Sequence, residues 1–133
     1  MATGKINITM NIETEKIVFT LRPDNIIHIE CKPNTIMTLE EGKLSTQTVG
    51  KLTHNQPLPM LCDLTHVVKM TQDCRNHFAG AEHAAVFSKC ALIIKNPISR
   101  IIGNFFLGAN KPLRPTRLFT DPEKGLEWLK EKS

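Results

Sequence analysis

The sequence contains no tyrosine and a single tryptophan in 133 residues. The aromatic platforms on which single-stranded nucleic acid stacks are therefore nearly missing. Lysine and arginine are scattered rather than run together, and a net charge of +4 describes a mixed, solvated surface more than a polyanion-binding one. Nucleic acid is not the expected partner. Long apolar runs are also missing: no stretch reaches the ~18 residues that a spanning helix needs. The most apolar region, 84–109, is interrupted by Lys89, Lys95, Asn96, Pro97, Arg100 and Asn104. The opening MATGKINITMNIE has neither a continuous apolar core nor a small-residue cleavage site, which excludes a secretory signal. These absences predict a cytoplasmic protein with no membrane partner.

Metal and nucleophile signatures are equally scarce. The four cysteines, Cys31, Cys62, Cys74 and Cys90, contain no C-x-x-C pair. They read as buried thiols acting as small hydrophobes rather than as a zinc or redox site. The five histidines, at positions 28, 54, 66, 77 and 83, show no H-E-x-x-H or comparable spacing, and His77 and His83 are separated by a glycine-containing turn. FAGAEH has a single glycine and no phosphate-loop character. No cofactor and no metal are expected, and no enzyme.

What is present is an ordinary globular composition, 41% hydrophobic and 23% charged, with no repeat or linker, as expected for a single domain over 1–133. Ile6, Ile8, Met10 and Ile12 alternate with polar residues, so 1–12 is a loose arm or an extra strand. EKIVFTL, RPDN and IIHIECK predict a hairpin over 15–32. Thr38 and Glu41 form a capping-box pattern that opens a helix to about Thr53, weakened by Gly42 and Gly50. MLCDL (60–64) and KCALIIK (89–95) read as buried strands, with a helix from Thr71 continuing through AEHAAVF between them. Asn96-Pro97 caps a third helix, TRLFT (116–120) is a last strand, and TDPEKGLEWLKEK is a final helix with acid first and base last. The expectation is an α/β sandwich with a mixed sheet of about five strands and helices mainly on one face.

Two places attract a functional reading. Asp63 ends a central strand, at the edge where ligand groups gather in open α/β sheets. Around it Thr65, His66 and Thr71 are loop and cap residues, with Arg75 one turn into the helix. The second place is KNPISRIIGNFFLGANKP. On a wheel of about 100° per residue, Ile98, Ile101, Ile102, Phe105 and Ala109 share one arc, which predicts the buried face. Arg100, Gly103 and Asn104 lie opposite, with Phe106 at the rim. Arg100, Asn104 and Phe106 thus form a candidate partner or homodimer surface.

Taken together, LRPDNIIHIECKP, the MLCDL strand and IIGNFF…NKP…PTRLFTD…WL resemble the uncharacterised STAS-like proteins of Bacteroidetes-type bacteria, fold relatives of the anti-sigma-factor antagonists. The resemblance covers about residues 15–130. It implies an α/β sandwich that acts as a non-enzymatic regulatory or protein-interaction module with a protein partner. In the antagonists a strand ending in Asp-Leu leads to a phosphorylated serine. Aligned on Asp63, Leu64, Val67 and Met70, the phosphoacceptor position here holds Gln72, so the phosphoswitch does not carry over. The alternative is a binder of a small ligand or lipid, using a cavity between helices and sheet.

Overall fold

The structure, a computed structural model, describes residues 10–132. It starts with a meander: β1 (Met10–Glu13), β2 (Ile17–Leu21) and β3 (Ile27–Cys31) pair antiparallel in sequence order. The turn between β2 and β3 closes as its residue types require. Asn25 takes a left-handed conformation (φ 62°), which asparagine tolerates better than most. Arg22 holds the turn from the side by donating two hydrogen bonds to the Asp24 carboxylate. Residues 1–9 of the expected amino-terminal arm or strand lie outside the described residues.

After the hairpin the chain alternates between helix and parallel strand. β5 (Leu58–Asp63), β7 (Phe87–Ile93) and β8 (Thr116–Phe119) add to β3 in parallel, giving a six-stranded mixed sheet in the order β1-β2-β3-β5-β7-β8. The expectation of about five strands was close, and the architecture is the α/β sandwich foreseen. Two short strands were not foreseen. β4 (Thr35–Met37) and β6 (Val67–Met70) form a separate two-stranded parallel sheet. Segments of three and four residues carry too little alternation to be read from sequence.

Helix α1 (Leu39–Thr53) starts at the foreseen box: Glu41 Oε1 accepts the Thr38 backbone N–H at 2.8 Å. Gly42 permits contact with α2 (Gln72–Phe78), because a Cβ there would lie 3.2 Å from Cys74 Sγ. The expected continuation of α2 through AEHAAVF is corrected. The helix stops at Ala79, and a separate turn α3 (Ala81–Ala84) follows Gly80. Helices α4 (Pro97–Phe105) and α5 (Pro122–Lys130) begin at Asn96 and Asp121, whose side chains accept the N–H groups of Ser99 (2.8 Å) and Glu123 (3.0 Å).

Strand alternation divides the core between the two faces. Phe19, Ile29, Met60, Cys62 and Leu92 point to one side, under α1, α2 and α4. Leu61, Ala91 and Ile93 point to the other, under Leu126 and Leu129 of α5. A bulge opposite the start of β5 places Phe87 and Cys90 on the same face despite their odd spacing. Among the described residues only α5 covers the second face, so the helices do lie mainly on one side.

Helix α4 packs with a different face from the one expected. Ser99, Ile102, Gly103 and Phe106 are buried, while Ile98 is 46% and Ile101 60% exposed. Small side chains are the reason. A Cβ on Gly103 would lie 3.0 Å from Ile94 Cγ2 and 3.1 Å from Leu118 Cδ2, so the glycine lets the helix axis approach the sheet. The buried arc is turned about a quarter of a revolution from the hydrophobic one. Phe106, expected at the rim, is only 5% exposed. Gly103→Val would force this contact apart and should cost about 2–3 kcal/mol, read as a shift in the urea unfolding midpoint. An unchanged midpoint would show that the close approach is not needed.

Candidate functional site

The two regions singled out in the sequence meet on one side of the molecule. Asp63 ends β5, and its Oδ1 accepts the backbone N–H of Thr65 at 2.9 Å and the Thr65 hydroxyl. This self-contained turn leaves the β5–β6 loop with a fixed shape. His66 is exposed at its tip, and its carbonyl accepts the N–H of Thr35 (3.1 Å), tying the loop to β4. Thr71 occupies the N-cap of α2, with its hydroxyl donating to the Asp73 carboxylate rather than to a backbone amide.

Asn96 connects this loop to α4. Its Nδ2 donates to the Thr65 carbonyl at 2.7 Å while its Oδ1 caps the helix. One asparagine therefore both starts α4 and anchors it beside β6. At the far end of the helix Arg75 makes the second connection. Its Nη1 donates to the Met70 carbonyl (2.7 Å), its Nε to Asn110 Oδ1 (3.2 Å), and its guanidinium lies 4.0 Å over the Phe105 ring. Asn110 in turn donates to Asn76 (2.6 Å), so the chain after α4 is held against α2. Arg75 is thus partly a structural cation, pinned flat on the aromatic ring.

Between these anchors lies an apolar seam that sequence reasoning assigned to the core. Ile98, Ile101 and the half-buried Phe105 run along the outward side of α4, with Val68 of β6 exposed beside it. Arg100 and Asn104 are exposed along the other border, as expected, whereas Phe106 has left the surface. The signal that could have found the seam is Ser99-x-x-x-Gly103, a small-residue stripe marking which side approaches another element.

A second feature lies beneath the helices: an apolar cavity of about 60 Å³. Met37, Met60 and Met70 line it with Cys31, Cys62 and Cys90 from three neighbouring strands. Burial pushes the Cys31, Cys74 and Cys90 thiols up to about 12 and Cys62 well above its ordinary value. None is a thiolate at neutral pH, as expected of small buried hydrophobes. On the cavity wall His83 shares the Thr46 hydroxyl with His77, at 2.8 Å to Nδ1 and Nε2 respectively. This bridge joins α1, α2 and α3. Its members are too far apart in sequence for any spacing rule to have found them.

The topology and the anchored loop invite comparison with known proteins. The family described as "Domain of unknown function (DUF7793)" matches residues 19–133. The chain belongs to this family. No curated protein matches it. An uncharacterised DUF3478-family protein with a SpoIIAA-like fold, from Shewanella loihica PV-4, superimposes with a TM-score of 0.54 at 13% identity. That match covers 97% of this chain and 98% of the other. A protein of unknown function from Arthrobacter sp. FB24 is 29% identical over 90% of this chain and 96% of its own, with a TM-score of 0.35. This DUF7793 chain therefore has a SpoIIAA-like, that is STAS-like, fold, as the sequence resemblance implied. Among the described residues, no helix is long and apolar enough to cross a membrane.

Burial, with the neighbouring His77, holds His83 down to about 3. The folded chain therefore keeps it neutral while the unfolded chain protonates near pH 6.5, so stability is full above about 6.5 and falls as pH drops towards 3. Urea unfolding at pH 7.5 and 5 should show the wild type losing about 2 kcal/mol more than His83→Gln over that interval. Equal losses would mean that His83 is protonated in the folded state.

Proposed function

We propose that this DUF7793 chain is a non-enzymatic regulatory or protein-interaction module, working as one cytoplasmic unit with a protein partner and without a cofactor. The observation that carries this reading is the seam of exposed Ile98 and Ile101 with the half-buried Phe105, joined by Asn96 and Arg75 to the β5–β6 loop. Contiguous exposed apolar side chains with a polar border characterise docking surfaces. Here the border is Asp63, Thr65, His66 and Thr71 on one side and Arg100 and Asn104 on the other. Phe105 takes the place that the sequence assigned to Phe106. The STAS-like fold supports an interaction role only by analogy.

Tagged wild type, Ile101→Asp and the remote-face variant Thr20→Lys, each returned to the source cells, would test this reading. A partner should be retained by the wild type and Thr20→Lys and lost with Ile101→Asp. Identical recoveries from all three would overturn it. Light scattering on the same samples would reveal a homodimer as a concentration-dependent mass that Ile101→Asp halves.

The apolar cavity favours a second reading, a small-ligand binder. Its volume of about 60 Å³ is below the roughly 150 Å³ that admits benzene in an engineered core. A larger guest must displace methionine side chains, whose unbranched chains make that easy. Native mass spectrometry of freshly purified protein should then show an added apolar mass, and the bare chain mass alone would count against it.

A further inference from the structure

Resting on the docking reading, we propose that the α4 face receives an acidic amphipathic helix of a protein partner. The first observation is one of charge. Between Glu82 and Asp121 the sequence contains six lysines and arginines and no aspartate or glutamate. All of α4 and both of its flanking segments lie in that interval. The fold adds Lys124 from α5, which lines one cleft with Arg100, and packs α4 on β6, the strand that carries Lys69. Lys69, Lys95, Arg100 and Lys124 are all exposed, and none has an ion-pair partner among the described residues. Asp63, Asp73 and Asp121 nearby accept hydrogen bonds from Thr65, Thr71 and the Glu123 amide. They keep their charge, as does Glu123 beside Lys124, but among the described residues none is ion-paired with these four cations.

The second observation is one of shape. Beside α4 a cleft of about 300 Å³ opens at the carboxyl ends of β7 and β8. Ile94, Leu118 and Phe119 make its walls, and the exposed Arg100 and Lys124 border it. Thr120 and Asp121 complete its lining, so two cations face one carboxylate there, and Arg100 stands between the apolar seam and this cleft. A helix lying along α4 would set its own i, i+3, i+7 apolar residues on Ile98, Ile101 and Phe105. Its flanking carboxylates would reach Arg100 and Lys124 on one side and Lys95 and Lys69 on the other. A flat anionic bilayer would leave the cleft unfilled. A second copy of the chain, docked by a twofold axis, would bring cations of the same sign together.

The probe is a synthetic helical peptide of about 18 residues, leucine on one face and glutamate on both flanks, added to the 15N-labelled full chain. Amide shifts should concentrate in 67–70, 94–105 and 118–124, and binding should weaken steeply as salt is raised. Ile101→Asp and Arg100→Glu, both at exposed positions, should each weaken binding about tenfold, with melting temperatures confirming that they fold. The same peptide with lysine for glutamate should not bind. Equal binding of both peptides, no binding of either, or shifts on another face would overturn the proposal. So would capture of the chain by phosphatidylglycerol vesicles in preference to the peptide, or a dimer that masks the face. A partner lost from Ile101→Asp in the cellular recovery, together with a silent acidic peptide, would reject this inference alone and leave the docking reading standing.

Discussion

Gly103 has no room for a side chain. Ile94 and Leu118 occupy the space where its Cβ would be, at 3.0 and 3.1 Å, and with the fully buried Ser99 it lets α4 settle close on the sheet. Dispersion and apolar burial both favour the closest approach that sterics allow. That preference outweighs the alternative of turning the helix to hide two isoleucines. The rest of the surface follows from this orientation. Ile102 and Phe106 go inward to the core shared with α1 and α2, and Ile98, Ile101 and Phe105 are left outward.

An exposed apolar seam is a cost to a free chain, and the surrounding contacts keep it ordered rather than letting the helix roll. Asn96 is the clearest example, because one side chain caps α4 and binds the Thr65 carbonyl. Rotation of the helix would break both bonds. Arg75 does the same at the other end through Phe105, Met70 and Asn110. The loop after β5 and helix α4 are therefore tied to each other at the carboxyl edge of the parallel strands. That edge is where α/β sheets collect their ligand-binding groups, because loops and helix starts converge there. The buried Thr46–His77–His83 bridge supports the surface from below by joining the three preceding helical elements.

Much of this fold was legible in the sequence where the signal is local. The Arg22–Asn25 turn, the Thr38–Glu41 box, the Asn96-Pro97 start and the Asp121-Pro122 start each involve residues within a few positions of one another. All four occur as expected, because backbone donors at helix starts and the φ demanded by turns depend on nearest neighbours. The buried strands around Cys62 and Cys90 were equally plain, since strands covered on both faces read as continuous apolar runs. The β4–β6 pair was not legible, because each strand is too short to signal itself and exists through its partner. The turn at FAGAEH was legible from its glycine, whereas the shortness of α3 beyond it was not, because the alanine-rich AEHAAVF favours continuation.

Asp63, Thr65, His66, Thr71, Arg75, Arg100 and Asn104 could be picked out from residue type and position alone. The contacts that tie the loop and α2 to α4 could not, since Asn96–Thr65 and Arg75–Phe105 span 31 and 30 residues. The SRIIGNFF segment illustrates the division. Its composition determined that a capped, strongly apolar helix would form there, because capping and periodicity are properties of a short window. Which side of that helix is buried was decided only by tertiary structure, through the space that Ile94 and Leu118 leave beside a glycine. Hydrophobicity ranks side chains by their affinity for water, whereas packing selects the face that approaches most closely.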